Sequence, residues 1–300
     1  MKILITGSNG LLGQKLINKL LLQKDIDLIA TSKGQNRLTN QSHYKYISLD
    51  ITDRLMVEKV LISEKPEVVI NTAAMTNVDA CEDLKQQCDK LNVFAVKYLA
   101  DACLILNAHL IHISTDFIFD GENGPYREDD TPNPLSYYGD SKLRSEKILI
   151  NHKCRWSILR TIILFGVAEN LTKSNIVLWA KETLDKNQTM NIIDDQYRAP
   201  TLAEDLADAC ISCFQKEAYG IYHVSGKDIM SIFEIVQNIA KHYGYDTNNI
   251  NKISTKSLGQ KAKRPMKTGF ILDKANEILS YNPHSFLESL DLIDQQLNTK

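Results

Sequence analysis

The chain has 300 residues, 43% hydrophobic and 24% charged, with a net charge of −2. That length and composition suit one large α/β domain or a domain with a smaller lobe, and the balanced charge leaves no electrostatic footprint for nucleic acid or an anionic membrane. No apolar run approaches the ~20 residues that cross a bilayer, and Met1–Gly7 reaches a glycine too early for a signal peptide, so a cytoplasmic protein is expected.

Lys2–Thr6 reads as a short aliphatic strand. It runs into Gly7-Ser-Asn9-Gly10-Leu11-Leu12-Gly13, after which helical periodicity continues to Leu22. Strand, glycine turn and helix are the context in which a glycine triplet predicts dinucleotide binding. Gly7 permits the tight turn, Gly10 lets the backbone approach a pyrophosphate, and Gly13 lets the helix pack close to the sheet. The helix N-terminus offers free N–H groups to the phosphates.

Asp27–Thr31 is the second expected strand. Where NAD-preferring folds place an acid for the ribose 2′-OH, this chain has Thr31-Ser32-Lys33 and then Arg37. Hydroxyl and basic groups suit a 2′-phosphate, so NADPH is expected over NAD; the alternative is an ordinary basic surface loop. Tyr44–Leu49 is a third strand, ending in Asp50-Ile51 where an adenine would lie. Asp53–Ser63 reads as helix and Glu67–Ile70 as strand, followed by the small residues of Asn71-Thr-Ala73-Ala74 and by Thr76. Helical sequence then runs to about Leu106. Asn92 within it suits either a relay water or a locally bonded helix asparagine.

The strand Leu110–Ile113 leads to Ser114-Thr115-Asp116, a Gly/Pro-rich loop, and Tyr138-x-x-x-Lys142 at the start of a helix capped by Ser136. Residues four apart share one helix face. A lysine beside a phenol is expected to lower the phenol's pKa, ordinarily ~10, into the range useful for acid–base chemistry on an alcohol/ketone pair. Thr115 would hold the same oxygen, with Asp116 close by. A solvated helix face is the alternative, but of the 12 tyrosines only Tyr138 has a lysine four residues on.

Arg155–Thr161 is a sixth strand. The alternation of strands and helices predicts a doubly wound parallel α/β sheet of Rossmann type, with Gly7, Asn71, Ser114 and Thr161 at its strand ends. Residues 1–166 would form the dinucleotide-binding domain, with 189–224 returning to it through the strand Gly220–Val224. Residues 167–188 and 225–300 would form a smaller substrate lobe. Thr201 is the expected cap of a helix over Leu202–Gln215. That helix holds Cys210 and Cys213, and with no second cysteine pair or histidine cluster the six cysteines read as buried thiols and no metal is assigned.

Taken together, Gly7–Gly13, Asn71–Asp79, Ser114–Gly121, Pro134–Glu146, Arg160-Thr161 and Asp195–Pro200 resemble the extended short-chain dehydrogenase/reductases, and among them the dTDP-4-dehydrorhamnose reductases. The likeness fades after about residue 245. It implies that Thr115, Tyr138 and Lys142 are the catalytic threonine, tyrosine and lysine. It also implies that Asn9, Gly10, Leu11, Leu12, Asp50, Ile51, Ala73, Ala74 and Thr76 face NADPH, and that the substrate is a nucleotide sugar, met by Thr115, Asp116 and Tyr138. The resemblance allows a homodimer. Two departures stand out: Ile163 falls in the Arg-Thr-Ser-Trp segment where the family has tryptophan, and Arg198 adds a cation, read either as a diphosphate ligand or as a surface arginine. Two other uses share the fold: a nucleotide-sugar epimerase or dehydratase that keeps NAD bound, and a non-catalytic NADP-binding subunit like the regulatory subunit of methionine adenosyltransferase.

Overall fold

The structure, a computed structural model, describes residues 1–172 and 174–298. Its first half runs β1 (Lys2–Thr6), α1 (Leu11–Leu20), β2 (Asp27–Ser32), β3 (Lys45–Ser48), α2 (Arg54–Glu64) and β4 (Val68–Asn71). Next come α3 (Val78–Asp83), α4 (Lys85–Asp89), α5 (Ala95–Leu106), β5 (His109–Thr115), α6 (Tyr137–Ile150) and β6 (Arg155–Thr161). With β7 (Leu164–Phe165), α7 (Ile176–Asp185), β8 (Met190–Ile193), β9 (Tyr197–Arg198), β10 (Thr201–Leu202) and α8 (Ala203–Gln215), the chain reaches β11 (Gly220–His223).

These strands build a 7-stranded sheet in the order β11-β6-β5-β4-β1-β2-β3, parallel throughout. Side chains alternate between the faces of a strand, and here both faces are buried, which is why the strands read as continuous apolar runs. Ile3 and Ile5 of β1 join Leu16 and Leu20 of α1 and Leu206 and Phe214 of α8. Leu4 joins Val57 and Leu61 of α2 and Val96 and Leu99 of α5 on the other face. The chain reverses its winding between β1 and β4, which opens a crevice at their C-terminal ends.

The rest of the chain adds β12 (Met230–Ser231), α9 (Ile232–Tyr243), β13 (Ile250–Ile253), α10 (Asp273–Leu279) and α11 (Phe286–Asn298). Helices α7, α9 and α11 share a separate core around Phe165, Val236 and Leu290. Helix α9 starts with a reciprocal cap between Ser231 and Glu234.

Four expectations change here. Strand β8 pairs with β13 in the lobe, so only α8 and β11 of the 189–224 segment rejoin the large sheet. Helix α10 leaves the lobe: Ala275, Leu279 and the following Tyr281 fill the α1–α8 core, because their apolar side chains cover that sheet edge. Thr201 does not cap α8, since β10 pairs with β7 and the Thr201 hydroxyl donates to Ile162 O at 2.7 Å. The long helix expected up to Leu106 is broken into α3, α4 and α5, with a π-helical turn at Lys90–Phe94 joining the last two.

Candidate active site

The β1–α1 turn is built for close approach. Gly10 N–H donates to Gly7 O at 2.9 Å, and a Cβ on Gly13 would lie 2.5 Å from that same oxygen, so only glycine lets α1 start against the turn. No side chain caps α1 at Gly10 and its first turn carries no acid, which leaves unpaired N–H groups and the positive dipole end facing outward. The buried hydroxyl of Ser8 beside them has no hydrogen-bond partner. This donor-rich, anion-free turn fits a pyrophosphate.

A cleft of about 1120 Å³ opens from the turn. Gly7, Asn9, Gly10, Leu11, Leu12, Ser32, Lys33, Arg37, Asp50, Ile51, Ala73, Ala74 and Thr76 all line it, as do Thr115, Asp116, Tyr138 and Lys142. The segments after β1, β2, β3, β4 and β5 therefore converge, as a doubly wound sheet requires. Lys33 is exposed and pairs with Asp50 at 2.7 Å, a contact that is weak at a surface. Asn9 Oδ1 accepts from Arg37 N–H at 3.0 Å, tying the basic loop to the glycine turn.

Gly13 stands behind the cleft wall, where its lack of a Cβ serves the packing of α1. One sequence assignment needs correction. Arg198 is neither a surface residue nor a cleft residue. It is 2% exposed, donates to Pro265 O at 2.6 Å and Tyr197 O at 2.7 Å, and lies 3.7 Å from Asp116. Its cation packs over the Phe117 ring, behind two residues of the cleft wall, Asp116 and Phe117.

Strand β5 delivers Thr115, the short turn after it Asp116, and α6 delivers Tyr138 and Lys142. Ser136 caps α6 by accepting from Gly139 N–H at 3.2 Å. A Cβ on Gly139 would fall 2.1 Å from Phe117 O, so this glycine lets the first turn of α6 dock on the Thr115–Phe117 backbone. The Thr115 hydroxyl stands beside the Tyr138 phenol, and burial pushes that phenol well above its ordinary pKa. Asp116 is 1% exposed and accepts from Thr268 at 2.5 Å and from Thr115 at 3.1 Å. Burial raises its pKa as well.

The Lys142 ammonium does not lower the tyrosine as the i,i+4 spacing predicts. It is 2% exposed and turns to Ile113 O at 2.7 Å and His112 Nε2 at 2.9 Å. Burial brings it down from 10.5 to about 8. Tyr138 is therefore a neutral phenol across the physiological range, and a proton donor in reserve.

Asn92 is hydrogen-bonded within the protein, to Cys88 one turn back and to partners distant in sequence. Its Oδ1 accepts from Met75 N–H at 2.8 Å, and its Nδ2 donates to Met75 O at 3.1 Å and Ser141 Oγ at 3.0 Å. The π-helical turn thus ties the loop after β4 to α6. Sequence reasoning missed Gln87, Lys90, Leu171 and Asn175, which also line the cleft. Only Asn175 carried a local signal, as the residue whose side chain caps α7.

The RmlD substrate binding domain family matches residues 1–298. The dTDP-4-dehydrorhamnose reductase of Aggregatibacter actinomycetemcomitans is 30% identical over 301 residues, covering 96% of this chain and 97% of that protein. Methionine adenosyltransferase 2 subunit beta of Danio rerio is 31% identical over 269 residues, covering 88% of this chain and 80% of its own length. Among solved structures, the dTDP-4-dehydrorhamnose reductase of Bacillus anthracis, in complex with NADP, superposes with a TM-score of 0.84 at 26% identity, covering 98% of this chain and 99% of that one. The match spans nearly the whole chain, the 7-stranded parallel sheet accords with it, and the chain belongs to the RmlD family of extended short-chain dehydrogenase/reductases.

Proposed function

We propose that the protein reduces the C4 ketone of a nucleotide-linked 6-deoxy sugar with NADPH, in the first instance dTDP-4-dehydro-L-rhamnose to dTDP-L-rhamnose. The observation that carries this reading is the neutral, buried phenol of Tyr138 beside the Thr115 hydroxyl, in one cleft with the glycine turn. The relatives named as dTDP-4-dehydrorhamnose reductases support the sugar, and the NADP complex of one supports the cofactor.

The glycine turn and the α1 N-terminus would hold the pyrophosphate, and Ser32, Lys33 and Arg37 the 2′-phosphate. When bound, the nicotinamide supplies a hydride to the ketone carbon. Tyr138 gives its phenolic proton to the ketone oxygen as negative charge develops there, so the product is a neutral alcohol and the phenolate is reprotonated from solvent. The Thr115 hydroxyl, turning from Asp116, would donate to that oxygen and fix its position. Lys142, charged below about pH 8 and held by Ile113 O and His112, would bind the nicotinamide ribose. A neutral phenol is the form the reductive direction needs, since the tyrosine must enter the reaction protonated.

The test follows NADPH absorbance with dTDP-4-dehydro-L-rhamnose, with NADH in parallel. Turnover with NADPH that falls at least about a hundredfold in Tyr138→Phe, with NADPH binding retained, is expected. Near-normal turnover by Tyr138→Phe removes the assignment, and stoichiometric NAD in the purified protein points instead to an epimerase or dehydratase. A second reading, a non-catalytic NADP-binding subunit, is favoured by the likeness to methionine adenosyltransferase 2 subunit beta. A stable complex with a synthetase, together with no turnover of any keto-sugar, would establish it.

A further inference from the structure

A buried polar chain runs behind Lys142, and neither the glycine turn nor the Tyr138 chemistry uses it. Lys142 Nζ lies 2.9 Å from His112 Nε2. His112 Nδ1 lies 3.1 Å from Asn71 Nδ2, and Asn71 Oδ1 accepts from the Thr6 hydroxyl at 2.6 Å. Thr6, Asn71, His112 and Lys142 are all at most 2% exposed. Of the four, only Lys142 lines the cleft. Three strands supply the chain: β1 through Thr6, β4 through Asn71 and β5 through His112. Ser145 stands 3.1 Å from the same His112 Nε2, with its own proton given to Lys142 O at 2.6 Å.

Counting protons couples the members of this chain. A neutral imidazole has one ring N–H and one ring lone pair, and an ammonium has no lone pair. When Lys142 is charged, His112 Nε2 must accept from it, so Nδ1 carries the proton and the Asn71 amide turns over, giving its oxygen to His112 and its Nδ2 to the Thr6 hydroxyl. When Lys142 is a neutral amine, Nε2 carries the proton and donates to the amine or to Ser145, and Nδ1 accepts from the Asn71 amide. The tautomer of His112 and the protonation of Lys142 therefore change together.

We infer that His112 is a positioning residue for Lys142: through Asn71 its ring sets how firmly Lys142 holds the charge on which the proposed reductase chemistry relies. Burial keeps His112 itself uncharged, so the ring acts as an acceptor and not as a second cation. The other groups facing Lys142 are Glu146 on its own helix and Cys88 from α4. Glu146 is already committed, accepting from Ser114 at 2.5 Å and pairing with Arg160 at 2.8 Å. Cys88 is occupied with Asn92, whose Nδ2 lies 3.4 Å from its sulfur. Within reach of the ammonium, His112 and Ile113 O are the hydrogen-bond acceptors, and removing His112 leaves the charge with Ile113 O alone.

The inference rests on the reductase reading for its purpose but not for its test. Protein carrying 13C at lysine Cε is titrated by NMR through the neutral and alkaline range, with the Lys142 signal identified by its loss in Lys142→Arg. The Lys142 midpoint, about 8 in the parent, is expected to fall by about one pH unit in His112→Leu. It should return toward the parent value in His112→Gln, whose amide oxygen restores an acceptor. The ring 15N shifts of His112 should move from the Nδ1–H to the Nε2–H pattern at the same midpoint in the parent protein, a readout that stands even if His112→Leu fails to fold. One common midpoint for parent and variants, or one tautomer throughout, overturns the inference. With turnover, the alkaline limb of kcat should move with the midpoint. A shifted midpoint in a protein that reduces no keto-sugar defeats the reductase reading alone.

Discussion

Tyr138 shows how far a residue's neighbours can reverse what its spacing suggests. The lysine one turn on does share its helix face, yet the ammonium bends toward β5 and burial controls the phenol. Gly139, next in the chain, is the residue on which this arrangement depends, because any Cβ there meets Phe117 O. In Gly139→Ala the first turn of α6 must back away, carrying Tyr138 from Thr115. Overpacking of this kind costs about 1–3 kcal/mol. The denaturation midpoint should fall accordingly, and kcat should drop more than NADPH affinity, which depends mostly on the β1–α1 turn. Unchanged kcat in a folded Gly139→Ala protein would show that the contact does not place the tyrosine.

At the scale of elements, the π-helical turn at Lys90–Phe94 is the joint between the two halves of the cleft. A wider turn inserts an extra residue into a helix, and such insertions recur at functional sites. Here it swings Asn92 inward to bridge Met75, on the loop after β4, to Ser141 on α6. Asn92→Ala would leave the Met75 N–H and C=O without these partners, at about 1–3 kcal/mol for each buried group stranded. The expected result is lower stability with weaker NADPH binding, since Ala73, Ala74 and Met75 line the cleft. Calorimetric titration of NADPH into the folded variant checks this, and parent-like affinity would argue against a role for the joint. The sequence marked Asn92 as buried and polar but not its partners, which lie 17 and 49 positions away.

Across the whole molecule, burial of titratable groups sets the response to acid. His109, His112 and His223 are buried, and desolvation holds all three below the ordinary 6.5, His109 at about 4. Between those folded values and 6.5 the unfolded chain binds more protons than the native one, so stability falls as pH drops through 6.5. Each histidine contributes a slope approaching about 1.4 kcal/mol per pH unit. Asp116 and Asp205, raised by burial, act in the opposite sense, their native states taking up protons first. Urea midpoints measured at pH 6.5 and about 5 should therefore decline, and the decline should be smaller in His112→Gln. An equal decline in that variant would mean that His112 is not held neutral.

The parts of this protein written in the sequence are those whose causes are local. Apolar runs and the glycines at 7, 10 and 13 specify a strand, a turn and a helix within a dozen residues. The alternation of such units specifies a doubly wound sheet, and strand ends then specify where the cleft lies. Almost every residue expected to line it does so. What the chain order left open depends on contacts between distant segments: β8 joining β13, α10 returning to the sheet, Arg198 sinking beneath Asp116, and Lys142 facing His112. Spacing along a helix states which side chains share a face, whereas charge and proton affinity follow from what the rest of the fold brings against that face and how much water it removes.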